Sequence, residues 1–123
     1  MTENFRRFDV GPDPFGRNWT VEFRWLQTGI SIRHADTVDV KFQLISGEAV
    51  QEKVIALPHP DLLALSAKSG RPVTDPWCMK LAATHLRRMI ETDEDMEKTL
   101  VTVDLKDLER DNEILERPVP VRR

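Results

Sequence analysis

Two side chains in the second half of the chain, Cys78 and His85, are of the types that carry nucleophilic catalysis or bind metal ions. A thiol and an imidazole in one pocket would suit a nucleophile with its base, or two metal ligands. Their spacing in a helical stretch puts them on nearly the same side, but about 10 Å apart along the axis. No third ligand stands nearby. We therefore favour a core cysteine and a partly buried histidine, and assign no catalytic residue, metal or cofactor.

An acidic run offers a second candidate, because Asp93, Asp95 and Glu97 have the alternate spacing that begins an EF-hand calcium loop. That loop needs glycine at its sixth position to turn sharply, and Lys98 stands there instead. A solvated acidic loop is the preferred interpretation.

A ligand pocket is the third candidate. Trp19, Phe23 and Trp25 could form one wall, on a predicted sheet, and Cys78 and His85 the other, on a predicted helix. Tryptophan is common at pocket walls and interfaces because its large ring is rarely buried completely. A packed core between sheet and helix explains the same residues, and we favour it.

Basic residues raise the question of nucleic-acid binding. Arg24, Arg33 and Lys41 are predicted on one strand face, but Glu22 and Asp39 share that face and would cancel much of its field. The formal net charge of the chain is −3. Since non-specific nucleic-acid binding depends on positive charge, these observations argue against it.

Length and composition predict one domain spanning residues 1–123, with 40% hydrophobic and 32% charged residues. A single cysteine excludes an internal disulfide and fits a reducing compartment, so we expect a cytoplasmic protein. No apolar run approaches the roughly 20 residues of a membrane span, and no secretory signal is visible at the N-terminus.

The chain is organised around residues 19–57, which read as strands folded back on one another. Trp19, Val21, Phe23 and Trp25 are predicted to point one way, with polar residues between them. Similar alternation follows at residues 30–33 and 38–44, with turns at 27–29 and 46–48, and a less regular strand at 50–57. Short connections imply antiparallel pairing in a meander. Such a sheet has one wet and one covered face.

Helices are predicted to supply the cover. The first should begin at Pro60 and end at Gly70. The main helix should run from Pro76 to about Thr92 with Asp75 as its N-cap. Its apolar face and its polar face, which includes Thr84, give a strongly amphipathic pattern. A third helix is predicted after Asp104.

The remaining segments complete the prediction. Residues 1–18 read as a lead-in loop and residues 117–123 as an extended tail. Residues 99–103 form a fifth strand candidate, either a sheet edge or an arm to a partner. The predicted fold is therefore α+β: an antiparallel meander of four strands, or five, with two or three helices packed on one face.

We identify no family resemblance, so function stays a hypothesis. The leading one is a small soluble non-catalytic interaction module that forms a homodimer, because residues 99–103 could pair with a second copy. The alternative is a small-molecule binding protein or enzyme with the pocket described above between the sheet and the main helix.

Overall fold

A single sheet with strand order β1-β2-β3-β4-β5 forms the framework of the protein in a computed structural model that describes residues 5–29 and 36–116. The strands within this part of the chain are β1 (Arg7–Val10), β2 (Trp19–Gly29), β3 (Thr37–Ser46), β4 (Ala49–Pro58) and β5 (Leu100–Thr102). The helices are α1 (His59–Ser69), α2 (Asp75–Thr92) and α3 (Leu105–Glu116). The predicted α+β meander with its helical cover is confirmed.

The direction of β5 explains where the helices lie. The first four strands pair antiparallel, whereas β5 runs parallel to β4, with Ile55 opposite Val101. Parallel neighbours need a crossover connection, which here contains α1 and α2. Residues 99–103, predicted as an edge strand or an arm, thus form an edge of the chain's own sheet.

Alternation along β3 fixes the two faces of the sheet. Val38, Val40, Phe42 and Leu44 are all buried, while the residues between them are half-exposed. The buried set meets α2, whose buried apolar side chains include Leu81, Leu86, Met89 and Ile90. The covered face is therefore the one that the period of two predicts.

A β-bulge in β2 changes this pattern. Phe23 lies opposite Phe42, but Trp25 lies opposite Lys41, so Arg24 is an extra residue. Alternation reverses beyond it. Trp25 stands on the face of the sheet opposite the buried residues of β3, which we call the open face, and its ring centroid is 5.7 Å from Lys41 Nζ. The prediction that Trp25 points the same way as Trp19, Val21 and Phe23 is therefore wrong.

Two further predictions concern the end of this strand and the residues after it. Residues 27–29 continue β2 instead of turning the chain. The separate strand predicted at residues 30–33 lies outside the described residues.

The predicted lead-in loop contains strand β1, in which Phe8 lies opposite Val21. The loop after β1 is organised by Asp13, a buried carboxylate. Its oxygens accept hydrogen bonds from the backbone N–H groups of Phe15 and Arg17, from Arg17 Nε at 2.9 Å, and from Trp19 Nε1 at 3.1 Å. This loop therefore anchors the polar end of the most deeply buried tryptophan of β2.

The main helix is buried more widely than predicted. Its N-cap is Thr74, not Asp75, and the Thr74 hydroxyl accepts the Trp77 N–H at 3.3 Å. Thr84 was assigned to the exposed side but is buried, and its hydroxyl donates to the Lys80 carbonyl at 2.8 Å. Thr84 is buried because α3 packs on the side of α2 that would be exposed to solvent in a two-layer domain.

The bulge predicts unequal costs for two tryptophan substitutions. Trp19 is 1% exposed and Trp25 is 36% exposed. Trp19→Ala should lower the free energy of unfolding by about 3–5 kcal/mol, because it leaves a cavity and removes a donor to Asp13. Trp25→Ala should cost about 1 kcal/mol or less. Urea unfolding measures both, and equal losses would contradict the reversed alternation.

Asp13 predicts a pH dependence of stability. Burial raises its pKa, but hydrogen bonds from Arg17, Trp19 and Phe15 outweigh burial and lower the pKa from 3.8 to about 2. Because the folded pKa lies below the unfolded one, the stabilisation is full above pH 3.8 and is lost as the pH falls towards 2. The melting temperature of Asp13→Asn should be lower than that of the wild type at neutral pH. The difference should shrink in acid, and a constant difference would contradict this role.

Candidate functional site

Three of the five residues predicted to line a pocket are buried in the packed interior. Trp19 lies in the core beside the Asp13 loop, and Cys78 is buried at 1% exposure. His85 is enclosed between α2 and α3. Of the predicted set, Phe23 and Trp25 line an open cleft, described below.

His85 has a partner that the sequence analysis missed. Its Nδ1 lies 3.1 Å from Asp111 Oδ2, which α3 brings to it from 26 residues away in the chain. Asp111 is fully buried, and its other oxygen faces Arg110 Nε at 3.9 Å. A carboxylate that orients an imidazole is the support given to a general base. However, the histidine is only 6% exposed. We therefore assign the pair a structural role, in which it holds α2 against α3.

A second polar contact lies on the same helix interface. Trp77 Nε1 donates to Asn112 Oδ1 at 3.1 Å, and Asn112 Nδ2 donates to Glu116 Oε1 at 3.2 Å. Glu116 also pairs with Arg71 across 3.4 Å. The signal for these contacts is the i, i+3 and i+4 spacing that puts Asp111 and Asn112 in the apolar stripe of α3, beside Leu108. Polar residues in such a stripe need buried partners.

Cys78 is not prepared for nucleophilic chemistry. Burial, followed by the charge of Asp75, raises the pKa of its thiol to about 11, so the thiol is protonated at neutral pH. The Nδ1 atom of His85 contacts Asp111 and not Cys78. The pair singled out by its spacing therefore belongs to the core, as the favoured interpretation holds.

Lys53 is an unexpected buried charge on the covered face of the sheet, opposite Phe42. Its ammonium group donates to the carbonyls of Met96 and Lys98. Burial lowers the pKa of Lys53, although the nearby charge of Glu97 acts in the opposite direction. The residue ties the loop between α2 and β5 to the sheet.

That loop contains the acidic run with the calcium-like spacing. Asp93 ends α2 in a left-handed conformation with φ of 59°, and Asp95 pairs with Lys98 across 3.1 Å. Among residues 5–29 and 36–116, no three histidine, cysteine or carboxylate side chains are grouped so that they could hold a metal ion.

An open cleft of about 430 Å³ lies between the edge of β2 and the first turn of α2. Most of its lining is apolar, with one basic and one acidic residue. The lining residues are Arg6, Phe23, Trp25, Leu26, Asp75, Pro76 and Met79. We call this site the β2–α2 cleft. Its volume falls within the range of about 300–1,000 Å³ that is common for ligand sites.

The β2–α2 cleft adjoins an unpaired stretch of strand. Pairing between β1 and β2 ends where Arg7 lies opposite Glu22 and the Phe23 N–H donates to the Arg6 carbonyl at 2.7 Å. Beyond the bulge, residues 25–29 pair with β3 on one side. In the part of the chain that the structure describes, no strand occupies the other side. We call residues 24–29 the open β2 edge; such an edge presents backbone donors and acceptors to an incoming strand.

The open face of the sheet carries mixed charge. Lys41 pairs with Glu52, and Arg7 pairs with Glu22 across 3.7 Å. The hydrogen bond and charge of Lys41, and then the charge of Arg24, lower the pKa of Glu52. The alternating signs give the face no broad positive field of the kind that non-specific nucleic-acid binding uses.

In comparisons with known proteins, no protein family, curated sequence or solved structure matches this chain. Among the described helices, none has the length and apolar character needed to cross a membrane.

A double-mutant cycle tests the role of the buried pair. His85→Ala and Asp111→Ala should each lower stability, because each leaves a buried polar group without its partner. The coupling energy between the two sites should be about 1–3 kcal/mol. Urea unfolding of the singles and the double measures it, and additive losses would contradict direct contact between the two side chains.

Proposed function

We propose that this chain is a non-catalytic interaction module that takes up an extended segment of a partner protein along the open β2 edge. Adding a strand to a sheet edge supplies main-chain hydrogen bonds, while a neighbouring groove selects side chains. The observation that carries the proposal is the position of the β2–α2 cleft directly beside unpaired strand.

The lining of the cleft supports this use. Phe23, Leu26 and Met79 are half-buried and pack against the core, so they form a preorganised apolar wall. Trp25 adds a large side chain that is 36% exposed at the strand edge. Aromatic residues that combine contact area with few rotatable bonds are enriched where partners bind.

The homodimer hypothesis rested on residues 99–103 as an edge strand, on the sparse apolar stripe of the C-terminal helix and on polar residues that form no catalytic cluster. Strand β5 lies at an edge of the sheet, where it pairs with β4 of its own chain. Homodimerisation stays a prediction, for which the free edges of β2 and β5 are the remaining candidate surfaces. Light scattering tests it, because a monomer has a mass of 14.2 kDa. A cytoplasmic location is part of the same proposal, supported by a single buried cysteine.

A small-molecule ligand is the second candidate function, favoured by the volume of the β2–α2 cleft. A compound in the cleft would contact Phe23, Met79 and their neighbours without forming hydrogen bonds to the backbone of residues 26–29. Hydrogen exchange separates the two candidates, since only an added strand forms new backbone hydrogen bonds along the open β2 edge.

The experiment is selection of binders from a phage-displayed library of random dodecapeptides against the full chain. Binding of the selected synthetic peptides should slow amide hydrogen exchange at alternate positions within residues 24–29. Trp25→Ser should weaken binding about tenfold or more, because it removes one side of the cleft.

Leu100→Ser is the matched control, since Leu100 lies in the same transverse row of the open face but on the opposite sheet edge, at 58% exposure. It should leave peptide affinity unchanged. The proposal fails if no selected peptide protects residues 24–29, or if the two variants weaken binding equally.

A further inference from the structure

The loop between α2 and β5 binds an ammonium group that comes from the chain itself. Lys53 is 3% exposed, although lysine is almost never buried so deeply unless its charge is paired or hydrogen-bonded. Its ammonium donates to the backbone carbonyls of Met96 and Lys98. The charge of Glu97, the residue between these two, favours the protonated form of Lys53. This loop therefore provides both hydrogen-bond acceptors and a negative charge for one buried cation.

The same loop contains the acidic run whose spacing resembles the start of a calcium loop. In a calcium loop, carboxylate and carbonyl oxygens converge on the metal ion. Here two carbonyls accept hydrogen bonds from the Lys53 ammonium, and Asp95 is paired with Lys98 across 3.1 Å. The cation that the loop holds is thus the side chain of a lysine on the neighbouring strand.

Lys53 stands directly before the point where β5 joins the sheet. Val54, the next residue, lies opposite Leu100, and its N–H donates to the Thr99 carbonyl at 2.8 Å. Two adjacent residues of β4 therefore bind the carbonyls of residues 96, 98 and 99, one through its side chain and the other through its backbone. These contacts place the chain in register as it enters β5.

Strand β5 is short for the edge of a sheet. It contains three residues, of which Leu100 is 58% exposed. Its neighbours Val101 and Val103 are buried. Parallel pairing is slightly less stable per residue than antiparallel pairing, and edge segments with few buried contacts open locally with a low free energy. A contact outside the strand ladder therefore has a large influence on whether β5 stays in place.

We propose that Lys53 and the loop of residues 93–98 form an ammonium latch that holds β5 on β4. With the latch closed, β5 covers the backbone of residues 54–56. With the latch open, that backbone becomes a second sheet edge that is available to an added strand. The latch is thus a conformational device that controls this edge, separately from the open β2 edge.

Lys53→Met tests the latch, because methionine keeps most of the apolar packing but has no N–H to donate. The informative amides are those of Val54 and Val103, which donate to the carbonyls of Thr99 at 2.8 Å and Ala56 at 2.9 Å. Their hydrogen exchange should become about tenfold faster or more, because hydrogen bonds from a charged group are strong. Exchange in the β2–β3 ladder should stay at the wild-type rate. Unchanged exchange at Val54 and Val103, or equal acceleration in all strands, would overturn the proposal.

Lys41→Met is the matched control. It removes the same charge from the strand next to β4, at a position opposite Val54 where the lysine pairs with Glu52 on the open face. Exchange at Val54 and Val103 should stay at the wild-type rate in this variant. If it accelerates as much as in Lys53→Met, the effect is general to lost charge and the latch is rejected.

Chemical rescue tests whether the loop recognises the ammonium group itself. Lys53→Ala removes three methylenes and the ammonium, which n-propylammonium chloride replaces. This salt should slow exchange at Val54 and Val103 towards the wild-type rate. Tetramethylammonium chloride at the same concentration has the same charge but no N–H, and should not. If the two salts act alike, recognition of the N–H groups is rejected; Lys53→Met decides the latch even where the alanine variant does not fold.

Discussion

The parallel pairing of β5 with β4 determines how the rest of the chain is arranged. Two parallel neighbours cannot be joined by a hairpin, so the intervening chain must cross one face of the sheet. That crossover consists of α1 and α2, which cover Val40, Phe42 and the other inward side chains of the strands. None of the described helices covers the opposite face, and α3 packs against α1 and α2, where it buries polar as well as apolar groups.

The bulge at Arg24 has the largest consequence for function. By adding one residue to β2, it moves Trp25 to the open face and Leu26 to the covered one. Pairing with β1 ends at the same place, so among residues 5–29 and 36–116 no strand pairs with this edge where the β2–α2 cleft opens. This local irregularity thus brings Leu26 to the apolar wall and Trp25 to the exposed face, beside the edge on which the proposed interaction depends. Bulges commonly redirect side chains in this way.

Buried polar groups have a different role in this protein. His85 with Asp111, and Trp77 with Asn112, connect α2 to α3, while Lys53 fixes the loop before β5. Each contact joins segments far apart in sequence. Because an unpaired buried polar group is costly, these contacts favour one docking arrangement of the helices over others.

Local patterns in the sequence were sufficient for the framework. Alternation in β3, the helix stop at Gly70 and the proline at the start of α2 each reflect backbone preferences that act over a few residues, and the α+β meander follows from them. The bulge could not be read in this way, because the residues Trp19 to Trp25 fit uniform alternation, and only pairing with β3 shows that Arg24 is extra.

The candidate site depended on tertiary structure for the same reason. The sequence offered Phe23 and Trp25 as wall residues but grouped them with Cys78 and His85, since it could not show that α3 would enclose His85 beside Asp111. It also gave no indication that β1 would stop short of Arg24. The sequence by itself determined strands β3 and β4, the three helices and most of the core, because those properties come from neighbours along the chain. Only the tertiary structure decided which edge stays open, because this depends on contacts between segments that the chain brings together only by folding.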